Sequence, residues 1–352
     1  MHFMNSQAAE SLRESLAGFP KSTLSHLPTP LEFLPRLSDK LGDYKIYIKR
    51  DDCTGLAMGG NKSRQLEYYL GDAVHKGCDT VLSTGAVQSN YMRILAAAAA
   101  RLGLECHIQL EKRVANDSPD YQHSGNVLLD KLFGAQIHSF AVGEDESGAD
   151  NALEALAENL RAQGKKPYIV HLSETERPLG ALGYVDAALE ILQQIESMEL
   201  KPRMMVVGSG SGLTHAGLVS GLRMAGSEIP VLGACVRRDA SQQEARIQRN
   251  CARIEKMLSL KGAVSEDIVV DERALWPGYG QQSEMVMQAM HMLTTTEGIL
   301  TDPVYSGKAL AVVVDKIQNG EIEAGSEIIL WHTGGTPAIF GYREKMQEIA
   351  QL

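Results

Sequence analysis

The chain has 352 residues, 44% apolar and 22% charged, which suggests one large or two medium cores rather than one small one. Its formal net charge is −10, from 34 basic and 44 acidic residues, a surface that repels phosphate backbones and argues against a nucleic-acid partner. The most apolar helix-like stretch, Ile94 to Ala100, lies between Arg93 and Arg101 and is far too short to span a bilayer, so no membrane partner is expected.

Near the start, Glu10, Arg13 and Glu14 interrupt any apolar run, so a signal-peptide core is not expected. Tyr44 to Lys49 alternates like a strand, and Lys62 to Lys76 has helical spacing. Thr80 to Ser83 reads as a short strand, then a Gly/Ser/Asn turn, then an alanine-rich helix over 90–102. Strands are predicted at Glu105–Leu110, Ala135–Phe140, Pro167–Leu172, Met204–Val207, Val231–Val236 and Glu327–Trp331. Helices are predicted at Gly125–Phe133, Ala149–Gln163, Gly180–Met198, 214–225, 241–260 and 281–297. Strands alternating with helices of this length give an α/β fold of right-handed βαβ units and mostly parallel sheets. No linker separates two halves, so two domains would have to exchange the chain. Cys53, Cys78, Cys106, Cys235 and Cys251 form no C-x-x-C and no metal-ligand spacing with the histidines. They read as reduced, buried thiols of a cytoplasmic protein, with no metal.

Three turns carry chemistry. Val206 and Val207 run into Gly208-Ser209-Gly210-Ser211-Gly212, and a helix starts at Thr214. Glycine N–H groups, hydroxyls and a helix N-terminus converge there on an anion such as a phosphate, with no dedicated cation. The order is neither a P-loop nor G-x-G-x-x-G, and a plain strand-to-helix turn is the competing reading. Gly85-Ala86-Val87-Gln88-Ser89-Asn90 and His332-Thr333-Gly334-Gly335-Thr336-Pro337 follow strands in the same way. In parallel sheets such turns share the ligand-binding edge. In Gly59-Gly60-Asn61-Lys62 a lysine stands at a helix start, where the dipole disfavours a cation. Held there near other cations it would have a lowered pKa and supply the free amine of Schiff-base chemistry; the alternative is an ordinary surface lysine.

Together these motifs resemble the fold-type II pyridoxal-phosphate (PLP) enzymes, typified by the tryptophan synthase β-subunit. Within them the chain is most similar to the branch of D-cysteine desulfhydrase, L-cysteate sulfo-lyase and 1-aminocyclopropane-1-carboxylate (ACC) deaminase. The likeness runs from Pro28 to Tyr342 through Pro28-Thr29-Pro30-Leu31, Lys49-Arg50-Asp51-Asp52, Gly59-Gly60-Asn61-Lys62, Gln88-Ser89-Asn90, Leu179-Gly180-Ala181-Leu182-Gly183, the 208–217 turn, Asp302-Pro303-Val304-Tyr305-Ser306-Gly307-Lys308 and His332-Thr333-Gly334-Gly335. The resemblance implies two open, twisted, mostly parallel sheets flanked by helices. It implies a large domain of 1–64 and 174–352 around a small one of 65–173, and a homodimer. Lys62 would carry the cofactor, beside Asn61. Asn90 would bond the cofactor's 3-hydroxyl. Ser211, Gly212, Leu213 and Thr214 would hold the phosphate, Ser306 would meet the pyridine nitrogen, and Thr333 would also bind the cofactor. Tyr279 and Tyr305 match two active-site tyrosines, and Gln88, Ser89 and Asn90 match the substrate-carboxylate turn.

The departures bear on substrate. ACC deaminases carry Glu where this chain has Ser306 and Leu where it has Thr333, which favours the sulfur-eliminating side. That side in turn has His where this chain has Tyr91, and a Gly/Ser-rich turn where it has Ser173-Glu174-Thr175-Glu176-Arg177. Both segments are expected to border the substrate, and Glu174 or Glu176 would suit a cationic one. The implied reaction is α,β-elimination from D-cysteine or L-cysteate to pyruvate, ammonia and sulfide or sulfite, with Lys62 or a tyrosine taking the α-proton. The rivals are ACC ring opening with Tyr305 as nucleophile, a lyase for 2,3-diaminopropionate, and a non-catalytic PLP or amino-acid binder.

Overall fold

A computed structural model describes residues 4–143, 145–171, 174–263 and 268–351. Its strands are β1 (Leu31–Phe33), β2 (Lys45–Arg50), β3 (Thr80–Ala86), β4 (Glu105–Glu111), β5 (Gln136–Phe140), β6 (Pro167–Val170), β7 (Pro202–Ser209), β8 (Val231–Cys235), β9 (Val269–Asp271) and β10 (Glu327–His332). One sheet has the order β1-β2-β10-β7-β8-β9, the other β5-β4-β3-β6. Every pairing is parallel except β1 with β2. Parallel sheets are covered on both faces, and all seven residues of β3 are buried. The four-stranded sheet takes its strands from 80–170, the six-stranded one from 31–50 and 202–332.

Most boundaries agree with the sequence to within a few residues. β3 and β7 run further than predicted, to Ala86 and Ser209, because Thr84-Gly85-Ala86 and Gly208-Ser209 continue the ladder before the chain turns. Several elements escaped the reading: β1, β9 and the helix Pro35–Leu41, which are short, and the longer helices Ser6–Ala17 and Ser306–Gln318. Leu172 and Ser173 lie outside the described residues. The five cysteines are free; contrary to expectation, Cys53 is exposed, beside Asp52 in the short 3-10 helix Asp51–Thr54, and Cys78 is only partly buried.

Close helix packing sets the spacing of the site. The helix Leu213–Met224 lies against the helix Leu179–Ser197 through Gly217 and Gly221. A Cβ at Gly217 would sit 2.4 Å from the Ala181 carbonyl oxygen, and one at Gly221 would sit 2.6 Å from Ala188 Cβ. Gly183 brings the helix Lys62–His75 equally near, since a Cβ there would meet the Arg64 carbonyl at 2.2 Å. Three helices are thereby held at fixed separation, and two of them begin at Lys62 and at the 208–214 turn.

Beneath Lys62 lies a buried charge network. Asp51, 0% exposed, accepts from Arg64 Nε at 3.1 Å and Nη2 at 2.9 Å, from Trp331 Nε1 at 2.8 Å, from Thr29 Oγ1 at 2.9 Å and from the Tyr184 hydroxyl. Arg64 also bonds Glu190 at 2.9 Å and 3.0 Å, and Lys49 pairs with the same Glu190. The network joins β2, β10 and two of the packed helices.

Candidate active site

The turns after β3, β7 and β10 meet in one cleft between the sheets, with about 850 Å³ of empty space including its open mouth. It is lined by Gly85, Ala86, Ser89, Asn90 and Tyr91, by Gly208, Gly210, Ser211, Gly212 and Thr214, by Asn61, Lys62 and Thr333, and by Tyr279 and Tyr305. This is the convergence of Gly/Ser/Thr turns that the sequence suggested.

Lys62 opens its helix and is half-buried in the cleft wall. Burial lowers its ammonium to about 8, and the buried Asp302 carboxylate pulls partly the other way. Removal from water therefore produces the shift that the sequence reading had assigned to the helix dipole and nearby cations. The Lys62 Nζ stands 5.7 Å from the centre of the Tyr91 ring, so the residue that replaces histidine faces the amine. Asp302 receives the N–H groups of Ser306 at 2.8 Å, Tyr305 at 3.0 Å and Val304 at 3.1 Å, which fixes the turn bearing both Tyr305 and Ser306.

The 208–214 turn has the form of an anion cradle. Gly212 has φ 94°, and a Cβ there would stand 2.9 Å from Ile247 Cδ1. Thr214 Oγ1 accepts from Asn61 Nδ2 at 2.9 Å and Gln65 Nε2 at 2.8 Å. With both lone pairs occupied, its own proton is left to donate. The sequence reading expected no cation here, yet Arg246 Nε donates to the Ser211 carbonyl at 2.8 Å and Arg238 Nη1 to that of Gly210 at 3.2 Å. Arg113, Arg237, Arg246 and Glu146 also line the cleft. Sequence reasoning missed all four. Arg113 and Arg237 each lie two residues past a strand C-terminus, β4 and β8, and that placement is the signal that marks such residues.

The tyrosine hydroxyls of residues 279 and 305 are 2.9 Å apart, and burial, with Tyr279 as neighbour, raises Tyr305 well above an ordinary phenol. Ser306 Oγ lies 3.0 Å from Thr333 Oγ1, a pair of neutral hydroxyls of which Thr333 lines the cleft and Ser306 is buried behind it. Three expected substrate neighbours stand elsewhere. Gln88 is buried against Tyr121, Ser124 and Asn126. Glu174 is bound by Arg249 at 2.8 Å and Arg253 at 2.7 Å. With Thr175 and Leu213 it lines a small separate pocket behind the cradle. Burial would raise the Glu174 carboxyl, but these arginines hold it down at about 2, so it is a spent charge rather than a repulsive one. Ser173 lies outside the described residues.

A phosphate-bearing aldehyde suits this donor set: an amine of lowered pKa, a glycine cradle and a hydroxyl aimed as a donor. The family model for pyridoxal-phosphate-dependent enzymes matches residues 22–334. The chain belongs to that family. Its members are PLP-dependent, and this chain is a PLP enzyme of fold type II. The D-cysteine desulfhydrases of Salmonella typhi and Salmonella newport are each 42% identical to it over 327 residues, 93% of this chain and 97% of theirs. The crystal structure of an ACC deaminase homologue superposes with TM-score 0.85 at 35% identity, over 96% of this chain and 99% of that one. Escherichia coli diaminopropionate ammonia lyase, at 16% identity and TM-score 0.66, shares the fold.

Proposed function

We propose that this PLP enzyme is a carbon–sulfur lyase that eliminates the sulfur group from C3 of a three-carbon amino acid. D-Cysteine is the first candidate and L-cysteate the second; the products are pyruvate, ammonia and sulfide or sulfite. The hydrogen-bonded Ser306–Thr333 pair carries the reading. Two neutral hydroxyls stand where the ACC deaminase side of the family presents an acid and an apolar residue. The 42% identity to D-cysteine desulfhydrases supports it.

Bound PLP supplies an electron sink for the bond-breaking at Cα. The chain's own groups do the rest. Lys62 would hold the cofactor, and its amine, of lowered pKa, would take the α-proton. Ser89 accepts from the Tyr91 and Met92 N–H groups through Oγ, which leaves its own proton for the substrate carboxylate at the start of the helix Asn90–Leu102. The Tyr279 and Tyr305 hydroxyls, 2.9 Å apart, can pass a proton to the departing sulfur. Burial of Tyr305 as a phenol disfavours its use as the nucleophile of ACC opening. A non-catalytic binder would not need an amine of lowered pKa beside two phenols.

The test is product analysis at saturating PLP with D-cysteine, L-cysteine, L-cysteate, 2,3-diaminopropionate and ACC. Pyruvate with matching sulfide or sulfite is expected from a sulfur substrate. 2-Oxobutyrate from ACC at a comparable rate would replace the proposal with ring opening, and pyruvate from diaminopropionate alone with ammonia elimination. Thr214→Ala is expected to weaken cofactor retention about tenfold to hundredfold while turnover at saturating PLP changes little. It removes a hydrogen bond to a charged group, worth roughly 1.5–3 kcal/mol, remote from the reacting carbon. Equal PLP affinity in variant and parent would refute the cradle assignment.

We also read 1–64 with 174–352 as the large domain and 65–173 as the small one; limited proteolysis releasing sequential halves would contradict this. Exposed Trp276, Leu132 and Phe340 support a homodimer, which a light-scattering mass equal to one chain would exclude. No helix among the described residues is long and apolar enough to cross a membrane, and five free thiols suit a cytoplasmic setting; recovery from another cell fraction would overturn that.

A further inference from the structure

Arg93, on the helix Asn90–Leu102, is 0% exposed. Its Nη1 donates to Asn90 Oδ1 at 3.1 Å and to Asn126 Oδ1 at 2.6 Å, and its Nη2 donates to the Gly59 carbonyl at 2.8 Å. These acceptors are all neutral. Two buried carboxyls, Asp130 and Asp302, act on Arg93 electrostatically without a hydrogen bond to it; Asp130 has two oxygens without a hydrogen-bond partner among the described residues, and burial raises it to about 8. A guanidinium is thus kept dry without an ionised hydrogen-bond partner, which is costly. What it gains is control of one carboxamide. Asn90 Oδ1 takes a second bond from Asn126 Nδ2 at 3.0 Å, so both of its lone pairs are engaged and the amide is fixed one way round. The group left over is Nδ2. It lies over Gly335, where an added Cβ would stand 2.5 Å away, and Asn90 lines the cleft.

We propose that Arg93 is a positioning residue: it fixes the Asn90 carboxamide so that Nδ2 is presented as a donor to an anionic ring oxygen of the bound cofactor. Through the Gly59 carbonyl it ties that donor to the loop that carries Lys62. A single buried cation therefore sets the distance between the amine that anchors the cofactor and the amide that holds its ring. The inference rests on the reading that Asn90 meets the cofactor.

A double-mutant cycle separates positioning from simple packing. Each apoprotein is titrated with PLP, following the visible band and its wavelength, with circular dichroism to confirm folding. Arg93→Lys and Asn90→Ala are each expected to weaken PLP binding about tenfold, on the scale of one hydrogen bond to a charged group, and to move the band. The double variant should bind no worse than Asn90→Ala alone. Asn126→Ala, which removes the other donor to Oδ1, carries the same test on a neutral side chain should Arg93→Lys not fold. Unchanged affinity in Arg93→Lys, or its full loss repeated on the Asn90→Ala background, would overturn the proposal while leaving the site intact. An Asn90→Ala variant with the parent's affinity and band would overturn both.

Discussion

Lys62→Ala is expected to abolish the visible absorption of the purified protein and to lower turnover by about 10³-fold or more, the scale of losing a proton-transfer group that also anchors the cofactor. Lys62 is the one lysine among the residues lining the cleft. With its ammonium lowered to about 8, about a tenth of it is free amine at pH 7, against less than a thousandth for an ordinary lysine. The free-amine fraction grows as pH rises through 8. Recombination of PLP with apoprotein should therefore accelerate over that interval and level off above it. A rate that stays flat from pH 6.5 to 9.5 would mean that the amine is not the group being titrated. An unchanged spectrum in Lys62→Ala would remove Lys62 from the site altogether.

Asp51→Ala is expected to destabilise the fold by about 3–5 kcal/mol, the penalty for stranding a buried partner charge. The change deprives buried Arg64, Trp331, Thr29 and Tyr184 of a common acceptor and leaves Arg64 with Glu190, which Lys49 already occupies. Burial on its own would raise the Asp51 carboxyl, but Arg64 and Lys49 hold it below the ordinary value. A depressed carboxyl contributes stability above its unfolded value and loses it as pH falls through the folded one. The gap between parent and variant should accordingly narrow in acid. Urea unfolding of the two proteins at neutral and acid pH measures this. A difference below about 1 kcal/mol at neutral pH, the size of a surface pair, would show that the network does not act as a unit.

Much of the fold was legible because parallel α/β units write themselves into apolar runs bounded by glycine. The helix Asn90–Leu102 begins and ends where its alanine run, Ser89 and Gly103 say it should. β1 and β9 have three residues each and carry too little pattern to be read. The helix Ser306–Gln318 was hidden because its first residues look like a continuation of the Asp302–Ser306 turn. Within the site, Lys62, Ser89, Asn90, Thr214, Tyr279, Tyr305 and Thr333 came from motifs, and they line one cleft.

What stayed invisible was pairing. Glu174 looks in sequence like a free acid near the substrate. Only the fold brings Arg249 and Arg253, one helical turn apart, onto it. Nothing in the sequence marks Arg93 or Asp51 as buried, since a sequence does not say which charges lie inside. Gln88 sits beside Ser89 in the chain, yet its side chain is bound where the helices Pro119–His123 and Gly125–Leu132 meet, by Tyr121, Ser124 and Asn126.

The most direct measurement is to reduce the PLP-loaded protein with borohydride, digest it and locate the pyridoxyl group. It should lie on the peptide containing Lys62, at one per chain. The informative competitor is Lys308, also lowered to about 8 by burial but engaged with the Leu275 carbonyl at 3.0 Å and that of Gly278 at 2.9 Å. Label on Lys308, on any other lysine, or on none would contradict the account.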